Sequence, residues 1–119
     1  MDNIADNFIR FHEQFRVLHW QTKSYARHKA YGGIFDSFTG LIDAFIECHM
    51  GKYGRITVGG SIQLSNLNDV QIKEFIAEVE EFLVQLNESC DSVRDSDLLN
   101  IRDEMLAEIN KLKYLLTLE

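Results

Sequence analysis

The chain has 119 residues, enough for one domain that buries roughly two-thirds of its unfolded surface. Hydrophobic residues make up 45% and charged residues 26%, which excludes disorder, and the absence of any proline removes the strongest helix breaker. Nineteen acids against twelve bases give a net charge of −7; this field repels phosphate backbones and no local Lys/Arg run offsets it, so no nucleic acid is expected as a direct partner.

The start, Met1-Asp-Asn-Ile-Ala-Asp-Asn, is acidic and polar rather than basic and then apolar as in a secretory signal. No apolar run approaches the roughly 18 residues of a membrane span, so no membrane partner is expected and a cytoplasmic location is. Segment 3–23 repeats apolar residues at Ile4, Phe8, Phe11, Phe15 and Leu18, steps of 3 and 4 that mark one helical face. Segment 27–55 continues the rhythm with Tyr31, Phe35, Phe38, Ile42, Phe45 and His49. It is expected to end near Gly51 and Gly54, with Lys52 and Arg55 suited to a helix C-terminus. At 1.5 Å per residue this helix runs about 43 Å, the spine of the domain.

Residues 57–68 hold Gly59, Gly60, Ser61, Ser65, Asn66 and Asn68 and read as a connection. Segment 69–90 places Ile72, Phe75, Val79, Phe82 and Leu86 on one face, with Asn68 as N-cap. After a short polar break at 91–96, segment 97–117 does the same with Leu98, Ile101, Met105, Ile109, Leu112 and Leu116. Two short connections and one longer one joining four amphipathic helices predict an all-α, antiparallel four-helix bundle of the ferritin-like kind. Cys48 and Cys90 form no CxxC pair and are expected to be reduced structural thiols.

The candidate chemistry lies in the first half. His12 and His19 are seven apart on the first helix, His28 opens the second, and Asp43 and Glu47 lie one turn apart on the second. Imidazole and carboxylate together suit iron, manganese or zinc. The Glu-x-x-His motif of di-iron bundles is missing, which argues against a metal centre buried inside one bundle.

The segment Leu18-His19-Trp20-Gln21, followed by His28, Asp43 and Glu47, resembles the Dps family, the mini-ferritins. The intervals of 15 from His28 to Asp43 and 4 from Asp43 to Glu47 match that family, whereas the 9 from His19 to His28 is about three shorter. Trp20-Gln-Thr-Lys-Ser-Tyr25 and Gly51-Lys-Tyr-Gly-Arg55 are also similar to small virus-encoded ferritin-like proteins, for which the cytoplasm would be the host's. The resemblance implies Fe(II) oxidation at a dinuclear site whose ligands are His19, His28, Asp43 and Glu47, with Trp20 as shield; core packing is the competing role for Trp20. Nothing in the acidic start resembles a lysine-rich DNA-binding tail, and the 57–68 connection lacks a clear extra helix of the kind used in cage assembly.

Residues 28 and 43 of one straight helix stand about 22 Å apart, whereas metal bonds to nitrogen and oxygen measure about 2.0–2.2 Å. One chain therefore cannot bring them to one metal. Two chains can, in a homodimer whose second helices pack antiparallel about a two-fold axis near 36–37. Gly33, Ser37, Gly40 and Ala44 form a small-residue stripe there, suited to that contact or to a tight one within the bundle. His12 and Asp36 are close enough in phase to support the ligands, although a core or solvated role fits them better. The competing functional reading is a bundle without chemistry that serves as a binding or assembly module.

Overall fold

Helices form where the periodicity predicts them. The computed structural model describes residues 3–118, and among these no strand occurs. Helix α1 spans Ile4–Gln21, α2 Tyr25–Tyr53, α3 Asp69–Ser89 and α4 Ser96–Leu115. The predicted faces supply the core: Phe8, Phe11, Phe15 and Leu18 of α1 meet Tyr31, Phe38 and Phe45 of α2, with Val79, Leu83, Met105 and Ile109 from α3 and α4. Phenylalanines from three helices interlock edge to face, Phe8 on Phe45 and Phe82, Phe15 on Phe38 and Phe75. Such pairs contribute about 0.5–1.5 kcal/mol each beyond their burial. Both predicted helix signals at the middle connection are present: α2 stops before Gly54, whose φ of 89° favours glycine, and Asn68 caps α3 in a capping box with Gln71.

Contacts fix the topology. Arg27 near the start of α2 meets Asp69 at the start of α3, so α2 and α3 run parallel and sit diagonally, while α1 packs antiparallel on α2 and α4 antiparallel on both α2 and α3. That is a four-helix bundle with one long crossover. The long dimension of the molecule, 42 Å, is the length of α2. The crossover is extended rather than helical, and α1 holds it. The Gln14 side chain donates to the Ser65 carbonyl and accepts from its N–H; Gln21 does the same with Leu67; Asp6 accepts from the Gly60 N–H. The two glutamines thus satisfy backbone groups that a helix or sheet would otherwise pair.

At the far end, α2 is fastened to the α3–α4 turn. The buried Asp95 carboxylate accepts from the Tyr53 hydroxyl, the Asp91 backbone N–H and Lys52, and Lys52 also reaches Asp97 and the Arg94 carbonyl. Buried Arg102 joins α4 to α3 through the Leu83 carbonyl and Asn87, with Asp103 as counter-ion. Hydrogen bonds from Tyr53 first, then Asp91, hold the Asp95 carboxyl below the ordinary carboxylate range. A carboxyl depressed in the folded state contributes stability above its unfolded value of about 4, and loses it as pH falls through the lower folded value. Thermal melts should therefore fall steeply below about pH 4. Asp95→Asn should melt lower than the parent at pH 7 and show a flatter acid limb; equal acid slopes would remove Asp95 as the cause.

Candidate functional site

The three residues between α1 and α2 make a tight corner. Thr22 accepts from the Ser24 N–H, and the Ser24 hydroxyl caps α2 by accepting from the Arg27 N–H. This brings His19, in the last turn of α1, onto His28 of α2. The rings stack with centroids 3.8 Å apart, and each Nδ1 lies against the other residue's backbone carbonyl, at 2.7 and 2.8 Å. A carbonyl only accepts, so both Nδ1 atoms carry hydrogen, and in the neutral ring the lone pair belongs to Nε2. A ring nitrogen fixed by a backbone carbonyl while the other keeps its lone pair is the usual state of a histidine ligand.

Gly32 is the residue that sequence reasoning missed. A Cβ there would stand 2.9 Å from Cε1 and Nδ1 of His19, so only glycine lets the ring lie across α2. The visible signal was the Gly32-Gly33 doublet inside an otherwise continuous helical pattern.

Asp43 and Glu47 are exposed on the outer side of α2, where no hydrogen bond or ion pair engages them among the described residues. The helix between them and His28 is unbroken, so the expected separation of about 22 Å stands. Of the four predicted ligands, the structure brings together the two histidines and leaves the two carboxylates elsewhere. Among the described residues no group of three or more His, Cys, Asp or Glu is arranged to hold a metal ion. His12 and Asp36 take the core and solvated roles that fitted them better. His12 stacks on Phe35 at 4.0 Å and its Nε2 faces the Phe35 carbonyl and the Thr39 hydroxyl, while Asp36 is exposed. Core packing for Trp20 is overturned, because its indole is exposed, with Arg16 above it. Of the two thiols, Cys90 is buried and Cys48 exposed; neither is in a disulfide.

Side chains added at Gly33 or Gly40 would meet nothing within 4 Å, so the small-residue stripe is not a tight contact inside the bundle. Lys29 lies in the first part of this side of α2, and Asp36, Asp43 and Glu47 follow with no base before Lys52, whereas Arg27 turns to α3 and meets Asp69. At the other end of the molecule, His49 lines a polar groove of about 580 Å³ with Arg55 and the start of α1, and burial pushes its pKa down.

Gly32→Ala tests the histidine pair. Alanine should strengthen an ordinary helix position by about 0.5–1 kcal/mol, but here it must displace the His19 ring. The expected result is a net destabilisation of about 1–2 kcal/mol, with loss of the double Nδ1–H state in long-range ¹H–¹⁵N spectra of the imidazoles. A more stable protein with unchanged ring signals would show that the two rings do not pack as described.

The profile of a family of unknown function, DUF5856, matches residues 19–116. An uncharacterised 14.6 kDa protein from the mobD-ri intergenic region of enterobacteria phage T4 is 35% identical over 105 residues, spanning 88% of this chain and 78% of that protein. No solved structure matches significantly. The matched region opens on His19 and takes in the histidine pair, the whole of α2, the crossover and the Lys52–Asp95 clamp, and on that extent the chain belongs to the DUF5856 family.

Proposed function

We propose that this protein binds a divalent transition metal at a site shared by two copies of the chain, with Fe(II) as the substrate of a Dps-like oxidation. The observation that carries the reading is the reciprocal lock between His19 and His28, which leaves an Nε2 lone pair on each neutral ring. Two imidazoles and two carboxylates suit iron, and also zinc or manganese. Asp43 and Glu47 are unpaired and on the side of α2 that faces solvent, as groups reserved for a second chain would be.

A second copy supplies what the distance of about 22 Å forbids within one chain. An antiparallel pairing of α2 about residues 36–37 sets Gly33 against Gly40 of the partner subunit, where no intrachain group competes for the space. It also lays Lys29 of one helix along the Asp43–Glu47 half of the other, twice over, so these charges are complementary. In such a pair His19 and His28 of one copy would bind the substrate ion with Asp43 and Glu47 of the other. The carboxylates neutralise the cation and the locked rings fix its position. Each Fe(II) gives up one electron, and dioxygen, supplied as co-reactant, takes up four electrons and four protons to give two waters. A cytoplasmic setting suits this chemistry.

The second reading, a bundle acting as an assembly module without chemistry, is favoured by one feature. The two histidines already satisfy each other's Nδ1 groups and fasten α1 to α2, which is a complete structural role.

Two experiments separate the readings. Gly40→Leu adds a side chain that a single chain accommodates, because nothing lies within 4 Å of the Cβ. In sedimentation it should split the dimer while leaving the helical content unchanged; an intact dimer would remove the α2 pairing. The shared site is tested by mixing. His19→Ala/His28→Ala and Asp43→Ala/Glu47→Ala should each abolish Fe(II) binding and oxidation. Refolded together, half of the pairs are mixed, each with one complete site of two, and about a quarter of parental activity should return. No recovery despite proven exchange of subunits would exclude the shared site, and full activity in either variant alone would exclude these ligands altogether.

A further inference from the structure

We infer that the end of the bundle bearing the α1–α2 corner docks onto an anionic lipid surface. The net charge of −7 is unevenly spread. No Asp or Glu occurs between Glu13 and Asp36, a stretch that holds Arg16, Lys23, Arg27 and Lys29. The topology brings the start of α3 and the end of α4 to the same end, adding Lys73, Lys111 and Lys113. The carboxylates there are few. Among the described residues Asp69 is bound to Arg27, Glu80 to Lys113 and Glu13 to Arg16, and Glu74 and Glu108 remain, to which the sequence adds Glu119. The opposite end is acidic: Glu88, Asp91, Asp95, Asp97, Asp103 and Glu104 outweigh Arg94 and Arg102 between residues 87 and 104.

The same end exposes large apolar side chains. Trp20 is 68% exposed, Val70 65%, Tyr114 62% and Leu118 56%. Indole and phenol rings beside lysines suit the headgroup level of a bilayer, where one part of the ring is wet and the other apolar. Between α3 and α4 a hollow of about 440 Å³, walled by Ile76, Ala77 and Leu116, opens under the rim made by Lys73 and Lys113. Lysines attract the anionic surface, and aliphatic side chains with an apolar hollow favour acyl chains over phosphates and bases. A duplex would meet the acidic remainder of the molecule. No helix among the described residues is long and apolar enough to cross a membrane, so contact is peripheral. The inference does not rest on the metal reading and uses none of its ligands.

Trp20 is the only tryptophan, so the surface carries its own probe. Vesicles of phosphatidylcholine with about 30% phosphatidylserine, in low salt, should shift Trp20 emission to the blue, expose it to quenching by brominated acyl chains, and carry the protein upward in flotation. Vesicles of phosphatidylcholine alone should do none of these, and raising salt to about 0.5 M should release the protein. Lys23→Glu/Lys111→Glu reverses two exposed lysines that have no ion-pair partner among the described residues; with helical content unchanged, partitioning should drop at least about 30-fold. The salt dependence of the parent protein tests the charge even if that variant misfolds. Failure to float with anionic vesicles, or equal flotation with neutral ones, would overturn the inference. So would quenching of Trp20 by a single-stranded oligonucleotide together with no vesicle binding.

Discussion

Because α2 is one helix of 29 residues with no break, every distance along the molecule is set by its rise. It has no proline, and the glycines inside it, Gly32, Gly33, Gly40 and Gly51, do not interrupt it. Tertiary packing outweighs the helix cost of about 1 kcal/mol that each glycine brings. A rod of this length ends far from where it began, so the chain must return before α3 can pack in its diagonal position. The crossover makes that return, and Gln14, Gln21 and Asp6 of α1 supply its hydrogen bonds. The same rod holds His28 and Asp43 apart. Any chemistry that joins them has to come from outside the chain.

The two ends of α2 are fastened by different means. At the start, the attachment to α1 is a pair of stacked imidazoles and two hydrogen bonds to backbone carbonyls, geometry that requires Gly32. At the end it is a charged cluster, with the Asp95 carboxylate gathering Tyr53, Lys52 and the turn after α3. The first depends on shape and tautomer and the second on ionisation. The Gly-Lys-Tyr-Gly-Arg run singled out in the sequence is thus explained by stability: Lys52 and Tyr53 are the clamp, and Gly54 releases the chain into the crossover.

Much of the fold was legible because its signals are local. Apolar residues at steps of 3 and 4 named the buried faces, and Asn68 and Gly54 marked helix ends whose backbone angles those residues favour. The crossover was recognisable as a connection but not as a strap, since nothing local says that Gln14 will meet Ser65, 51 residues on. The site was half legible. Spacing on one helix sufficed to show that His28 and Asp43 cannot meet. That His19 and His28 would lock through each other's carbonyls depends on a three-residue corner and on an absent side chain at Gly32, neither of which periodicity reports. Of the two roles open to Trp20, core packing fails because its helical phase points it away from the core once Leu18 is buried.

Charge on α2 runs against the local preference of a helix. α1, α3 and α4 each carry an acid in the first turn, where the partial positive charge of the backbone favours it, but α2 carries none and opens instead with Arg27 and Lys29. Such placement costs about 0.3–1 kcal/mol per charge near the helix end. Arg27 recovers this through Asp69, a contact that fixes α3 beside the corner. Among the described residues Lys29 meets the ring of Tyr25, and Asp43 and Glu47 engage no hydrogen bond or ion pair. Lys29 lies beyond the first turn, and Asp43 and Glu47 lie six or more residues before the end of α2, out of reach of the helix-end charge. Only Arg27 therefore bears this cost and Asp69 offsets it; the last turn carries the favoured base, Lys52.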